Sequence, residues 1–255
     1  MEKAYHLDLD VGSVGGATYA LLPGDPARVE KIATAFDPQA REIAYRREFR
    51  TFLGVLEGRP ALVTSTGIGG PSTSIAVEEL ASLGVRTFLR VGTTGAIQPQ
   101  IAIGDVIITT GAVRLDGAST HYAPVEYPAV AHHEILRALV ESADELGCRY
   151  HVGVTASSAT FYPGEERHDS FSGYVLRRFQ GATEEWRRLH VLNYEMESAT
   201  LLTMCSAMGL RGGCVTGVVN VVGGEAISGA ELARGEDSAI GVAAAALRWL
   251  VRAER

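Results

Sequence analysis

Short apolar, β-branched runs alternate with helix-like repeats along nearly the whole chain, and this alternation restricts the folds open to it. The runs cover residues 18–22, 61–66, 85–91, 105–113, 152–157 and 214–222. Each is continuous rather than alternating in polarity, which is the pattern of strands buried on both faces. Between them, helical spacing is expected over 26–36, 71–83, 131–146, 195–208 and 230–252. Asp25 stands as an N-cap before Pro26, and Gly84, Gly147 and Gly209 stand where three helices should stop. Gly235 and Gly241 weaken the helical reading of the last segment. Strands alternating with helices imply an α/β layered fold with a mixed or mainly parallel sheet. No repeat, low-complexity stretch or Pro/Gly/Ser linker divides residues 1–255, so a single domain is expected.

In such sheets ligands sit at the carboxyl ends of strands. Three expected strand exits share a composition: PGDPAR at 23–28, STGIGGPSTS at 65–74 and RVGTTGAI at 90–97. The chain has 29 glycines, against about 18 for average usage. Glycines let backbone N–H groups approach a ligand, hydroxyls donate, and Arg28 and Arg90 supply forked charged donors. Each loop alone reads equally well as a turn; three alike favour an oxyanion site. Neither a GxxxxGK(S/T) pattern nor GxGxxG occurs, so nucleoside triphosphates and dinucleotides are disfavoured.

A net charge of −7 argues against nucleic acid or anionic membrane as partner. Cys148, Cys205 and Cys214 form no C-x-x-C pair and are odd in number, which suits a reducing cytoplasm without zinc or a disulfide framework. The opening MEKAYHLDLD has acids where a signal peptide has an apolar run, and the longest apolar stretch, 239–247, is too short to span a bilayer.

The loops, in this order, resemble the uridine phosphorylases of the nucleoside phosphorylase-I family. The resemblance is carried by LLPGDPARVEKIA (21–33), REF (47–49), the long run 65–99, GDVIITTGAVRLDGAS (104–119), HVGVTASSATFYPGEER (151–167) and NYEMESATLLTMC (193–205). It implies a three-layer α/β/α nucleoside phosphorylase-type fold around a mixed, barrel-like central sheet. It further implies a pentosyltransferase that converts a nucleoside and inorganic phosphate to free base and ribose 1-phosphate. The implied assembly is a hexamer, a trimer of dimers, with sites shared across the dimer interface. By the same resemblance, Gly24, Arg28, Arg90 and Thr93 hold phosphate, with Arg47 supplied by the dimer partner. Glu195, Met196 and Glu197 contact ribose, and His6 reaches the 5′-hydroxyl across the interface. Thr94, Gly95, Phe161, Glu165 and Arg167 form the base pocket. Arg90, Arg167 and Glu197 are the implied catalytic groups. Glu48, Ile68 and Ser72 match positions that hold a monovalent cation, typically potassium, in some members. No organic cofactor is implied. Read without the resemblance, Glu195 and Glu197 are ordinary acids at a helix start, and His6 and Arg46 are surface residues.

Two departures fall in the base pocket. Glu165 stands where the family usually has glutamine, and Val222 lies opposite a usual base-binding arginine, within the run 214–228. An ionised carboxylate only accepts hydrogen bonds, whereas a carboxamide both donates and accepts. That edge suits guanine, which offers two donors, unless the carboxyl takes up a proton. A purine phosphorylase, a nucleosidase and a non-catalytic nucleoside binder therefore stay open as alternatives. Arg211 and Arg234 are the nearby arginines that could replace the missing one.

Overall fold

The strands that the apolar runs predict at 18–22, 61–66 and 85–91 send alternate side chains into two large cores, and smaller apolar clusters take side chains from those at 105–113, 152–157 and 214–222. The computed structural model describes residues 3–224 and 229–254, the side chain of Glu231 excepted. The predicted strands are β1 (Tyr19–Leu22), β4 (Arg59–Thr64), β5 (Thr87–Ala96), β6 (Val106–Leu115), β8 (Tyr150–Ser158) and β10 (Arg211–Val221). Tyr19, Leu21, Val63 and Leu89 face one core, while Ala20, Leu22, Leu62 and Phe88 face the other. The helices are α1 (Arg28–Phe36), α2 (Gly70–Ser82), α3 (His133–Glu145), α4 (Ala182–Arg188), α5 (Ser198–Ala207) and α6 (Gly229–Ala253). Apolar residues of α1, α3 and α6 fill the first core, and those of α2 and α5 fill the second. The result is the three-layer α/β/α arrangement.

The sheet is completed by β2 (Arg41–Arg46), β3 (Phe49–Leu56), β7 (Ala129–Val130) and β9 (Asn193–Glu195). β1 lies between β4 and β5, parallel to both. β10 runs parallel to β5 from the pair Arg211–Thr87 to the pair Val221–Ala96. It also pairs antiparallel with β6, which is parallel to β8. β8 is parallel to β9, and β9 returns antiparallel to β5. Thus β5, β10, β6, β8 and β9 close a ring, the barrel-like part of the mixed sheet. β3 and β2 extend the open side beyond β4 as antiparallel strands.

Several local expectations change. Asp25 does not cap α1, whose N-cap is Ala27. Its carboxylate instead accepts the Ala27 N–H at 2.8 Å, and its carbonyl accepts the Arg28 N–H, closing the turn that feeds the helix. The helix expected over 195–208 begins only at Ser198, because Asn193–Glu195 is held as β9 between β5 and β8. The expected exit at 90–97 is mostly strand: β5 continues to Ala96 because β10 pairs with it that far.

Gly235 needs no side chain because the first part of α6 crosses β10 backbone to backbone. A Cβ on Gly235 would lie 2.7 Å from the Val218 carbonyl oxygen, and one on Gly217 would lie 1.7 Å from the Gly235 oxygen. A Cβ on the exposed Gly241 would find its nearest neighbour at 4.0 Å. Gly241→Ala is therefore expected to stabilise the protein by ~0.5–1 kcal/mol through helix propensity. Gly235→Ala is expected to destabilise it by ~1–3 kcal/mol through overpacking. Paired urea-denaturation curves check both signs, and equal shifts would contradict the close crossing.

Candidate functional site

Where β1, β4 and β5 end, their loops meet the β9–α5 junction around a cleft of about 740 Å³. At its floor lies the buried guanidinium of Arg90, whose Nε donates to Glu195 Oε2 at 2.8 Å. One of its terminal nitrogens pairs closely with the carboxylate of Glu197. Gly92 allows this geometry, since a Cβ there would sit 2.8 Å from that nitrogen. Glu195 also accepts the backbone N–H groups of Glu197 and Ser198, at 2.8 and 2.9 Å, and the Ser198 hydroxyl. Glu197 Oε1 accepts the Gly69 N–H at 2.6 Å. Burial works against the Arg90 charge, yet Glu197 and Glu195 outweigh it and hold its pKa above the ordinary arginine value. Burial raises the Glu197 carboxyl, with Arg90 opposing.

Arg28, from the start of α1, faces the same cleft. Its guanidinium lies near Gly24, where an added Cβ would be 3.7 Å from Nη2. Its Nε is buried and has no hydrogen-bond partner among the described residues. The nearest carboxylate to it, Glu236 on α6, stands at 3.7 Å, beyond hydrogen-bond reach. Burial pushes the Arg28 pKa down, Glu236 opposes, and the like charge of Arg90 adds to the fall.

Thr93, Thr94, Gly95, Phe161, Glu165, Arg167, Met196, Glu48, Ile68 and Ser72 also line the cleft. The Thr94 hydroxyl is already used within the sheet, donating to the Tyr194 carbonyl and accepting from Asn193 at 2.7 Å. Arg167 lies 4.3 Å above the Phe161 ring and holds Asp169 with two nitrogens, at 3.2 and 2.9 Å. Glu165 is 7% exposed, and burial pushes its carboxyl up to about 8. Arg167 opposes that rise, and Glu195 and Glu197 add to it.

Two expected residues lie outside this chain's cleft. His6 is held by Glu79, which accepts from its ring Nδ1 at 2.7 Å and from its backbone N–H. Arg47 is exposed on the β2–β3 turn and makes no ion pair among the described residues, while its neighbour Arg46 lies 5.0 Å over Tyr5 and 3.9 Å from Asp8. Arg211 bonds Thr87, Glu134 and Glu254 at the start of β10, and Arg234 is exposed beside Gly104. Neither replaces the missing pocket arginine. Val222 does line the cleft, and residues 225–228 of its run lie outside the described residues.

Sequence reading missed Asn220 and Glu236. A register shift in β10 between Val218 and Asn220 places the Asn220 amide oxygen 2.6 Å from where a Gly95 Cβ would be. The only sequence signal was a polar residue within an apolar run.

The family model for the phosphorylase superfamily matches residues 18–253. The chain belongs to the phosphorylase superfamily. Among its curated relatives, a uridine phosphorylase of Escherichia coli (strain K12) is 62% identical over 215 residues, 84% of this chain and 85% of the relative. The uridine phosphorylase of Haemophilus influenzae is 55% identical over 252 residues, 98% of this chain and 100% of the relative. A guanosine phosphorylase of Halorubrum lacusprofundi is 37% identical over 84% of this chain and 82% of the relative.

Removing Arg90 leaves two buried carboxylates without their counter-charge. Arg90→Met is expected to destabilise the protein by ~3–5 kcal/mol. Adding Glu195→Gln and Glu197→Gln should recover part of the loss. Denaturation midpoints of the three proteins check this, and a near-neutral single variant would contradict it.

Proposed function

We propose that this superfamily member is a nucleoside phosphorylase of the uridine phosphorylase type, splitting a nucleoside with inorganic phosphate. The observation that carries the reading is that Arg28, whose buried Nε has no hydrogen bond among the described residues, and Arg90 line one cleft beside Glu197. Phosphate sits on Gly24, Arg28, Arg90 and Thr93, where two guanidiniums and a threonine line one cleft. Ribose lies over Met196, with its 2′- and 3′-hydroxyls donating to Glu197 and Glu195 nearby. The base occupies the end formed by Thr94, Gly95, Phe161, Glu165 and Arg167. The C1′–N bond breaks with its electron pair going to the base, leaving an oxocarbenium-like sugar. A phosphate oxygen then closes on C1′ from the opposite face, with inversion. Bound phosphate stabilises the sugar cation, Arg167 stabilises the departing base, and no covalent enzyme intermediate is needed.

Arg47 and His6 serve a neighbouring copy's cleft rather than their own. Their placement outside the cleft, with Arg47 exposed and Ile68 77% exposed at the cleft edge, supports a homo-oligomer with shared sites. A hexamer built as a trimer of dimers in the cytoplasm fits this scheme. Ser72 Oγ donates to Glu48 Oε1 at 3.0 Å, so a carboxylate and a hydroxyl stand together at that edge. Beside Ile68 they form half a shell for a potassium ion, which would offset the Glu48 charge where two copies meet.

A nucleosidase has no need of Arg28 or Arg90, and the relatives named as phosphorylases favour the phosphate-dependent reaction. Turnover of uridine should therefore require phosphate and release ribose 1-phosphate. Arg28→Ala should raise the phosphate KM about tenfold or more, the worth of a charged hydrogen bond. Full turnover without phosphate would sink the reading, and so would nucleoside binding without product.

A further inference from the structure

We propose that Glu165 reads the base as an uncharged carboxylic acid, giving one donor and one acceptor to a pyrimidine edge, and that losing its proton ends this recognition. The inference rests on the phosphorylase reading of the cleft. Glu165 ends a short 3-10 turn, Pro163–Glu165, and is buried at the cleft wall. It shares that space with two other carboxylates, Glu195 and Glu197.

No cation forms an ion pair with Glu165 among the described residues, and Arg167 opposes the rise of its carboxyl without cancelling it. Arg90 is bound to Glu195 and Glu197. Arg167, on the same loop, holds Asp169 with two nitrogens and stacks on Phe161. Arg28 faces Glu236. Tyr194, from β9, presents only a neutral phenol, itself pushed up to about 12 by burial. From the end of β10 comes Val222, without charge. Among the described residues the Glu165 carboxyl has no hydrogen bond or ion pair, whereas its neighbour Glu166 is turned to the N–H of Thr183 at 2.8 Å. An unpaired buried carboxylate is costly, and the group takes up a proton instead. The rise to about 8 agrees with this.

The protonated carboxyl has the shape and the donor–acceptor pair of a glutamine amide. Its O–H donates to a base carbonyl, and its other oxygen accepts a ring N–H. The two departures of this pocket then support one another. An arginine at position 222 would draw the proton off Glu165, and an apolar Val222 lets it stay.

The test compares kcat/KM for uridine between the native protein and Glu165→Gln from pH 6 to 10 at saturating phosphate. Titration of phosphate and of uridine is common to both proteins and cancels in the ratio. The ratio of native to variant should be flat below pH 7. Above about 8 it should fall, approaching tenfold per pH unit. A ratio that stays flat, or rises with pH as an ionised reader would make it, overturns the proposal. Calorimetry of uracil binding to the native protein at pH 8.5 in two buffers of different ionisation enthalpy gives a second readout that needs no variant. Net proton uptake is expected, and binding without uptake overturns the proposal. No phosphate-dependent cleavage at any pH would remove the parent reading as well, whereas cleavage with a flat ratio removes this inference alone.

Discussion

One buried ion cluster ties the cleft together. Arg90 rises from β5, Glu195 ends β9, Glu197 precedes α5, and Gly69 precedes α2. These four residues draw three separate chain segments to one point. Burying a guanidinium and two carboxylates is expensive unless every polar atom finds a partner. Glu195 meets this condition by accepting from Arg90, two backbone N–H groups and the Ser198 hydroxyl. A second layer supports the loop after β4: Thr200 bonds Asp116, and an added Cβ on Gly70 would press against Thr200. The charges are fixed before any ligand arrives, so little reorganisation is needed on binding.

The sequence exposes this fold unevenly, and the reason is burial. β1, β4, β5 and β10 are buried on both faces, so their apolar runs stand out from the intervening helices. The β2–β3 hairpin was not read because its turn carries no glycine or proline; Arg47 itself takes a φ of 57° there. α4 is short, and the Glu166 carboxylate bonds the backbone N–H groups at its start from fifteen residues or more away in the chain. No local pattern reveals such a contact.

The acids of NYEMES show the same limit at the site. By local rules Glu195 and Glu197 suit a helix start. Only the three-residue strand β9, too short to signal itself, places Glu195 beneath Arg90. That Arg28, Arg90 and the glycine-rich segments gather at one cleft was legible from composition at strand ends. Asn220 was not, because a register shift decides which way that side chain points.

Charge balance in the cleft bears on how an anion can enter. Glu236 faces Arg28 at 3.7 Å, too far for a hydrogen bond yet near enough to oppose the lowering of its pKa. A dianion hydrogen-bonded to the orphaned Nε would gain contact that Glu236 does not give. The exchange therefore breaks no hydrogen bond at that nitrogen. Arg90 keeps its two carboxylates throughout, because releasing either would leave a buried charge unpaired. The two arginines thus differ in kind: Arg90 is bound into the buried ion cluster, and the Arg28 Nε has no hydrogen bond to give up among the described residues.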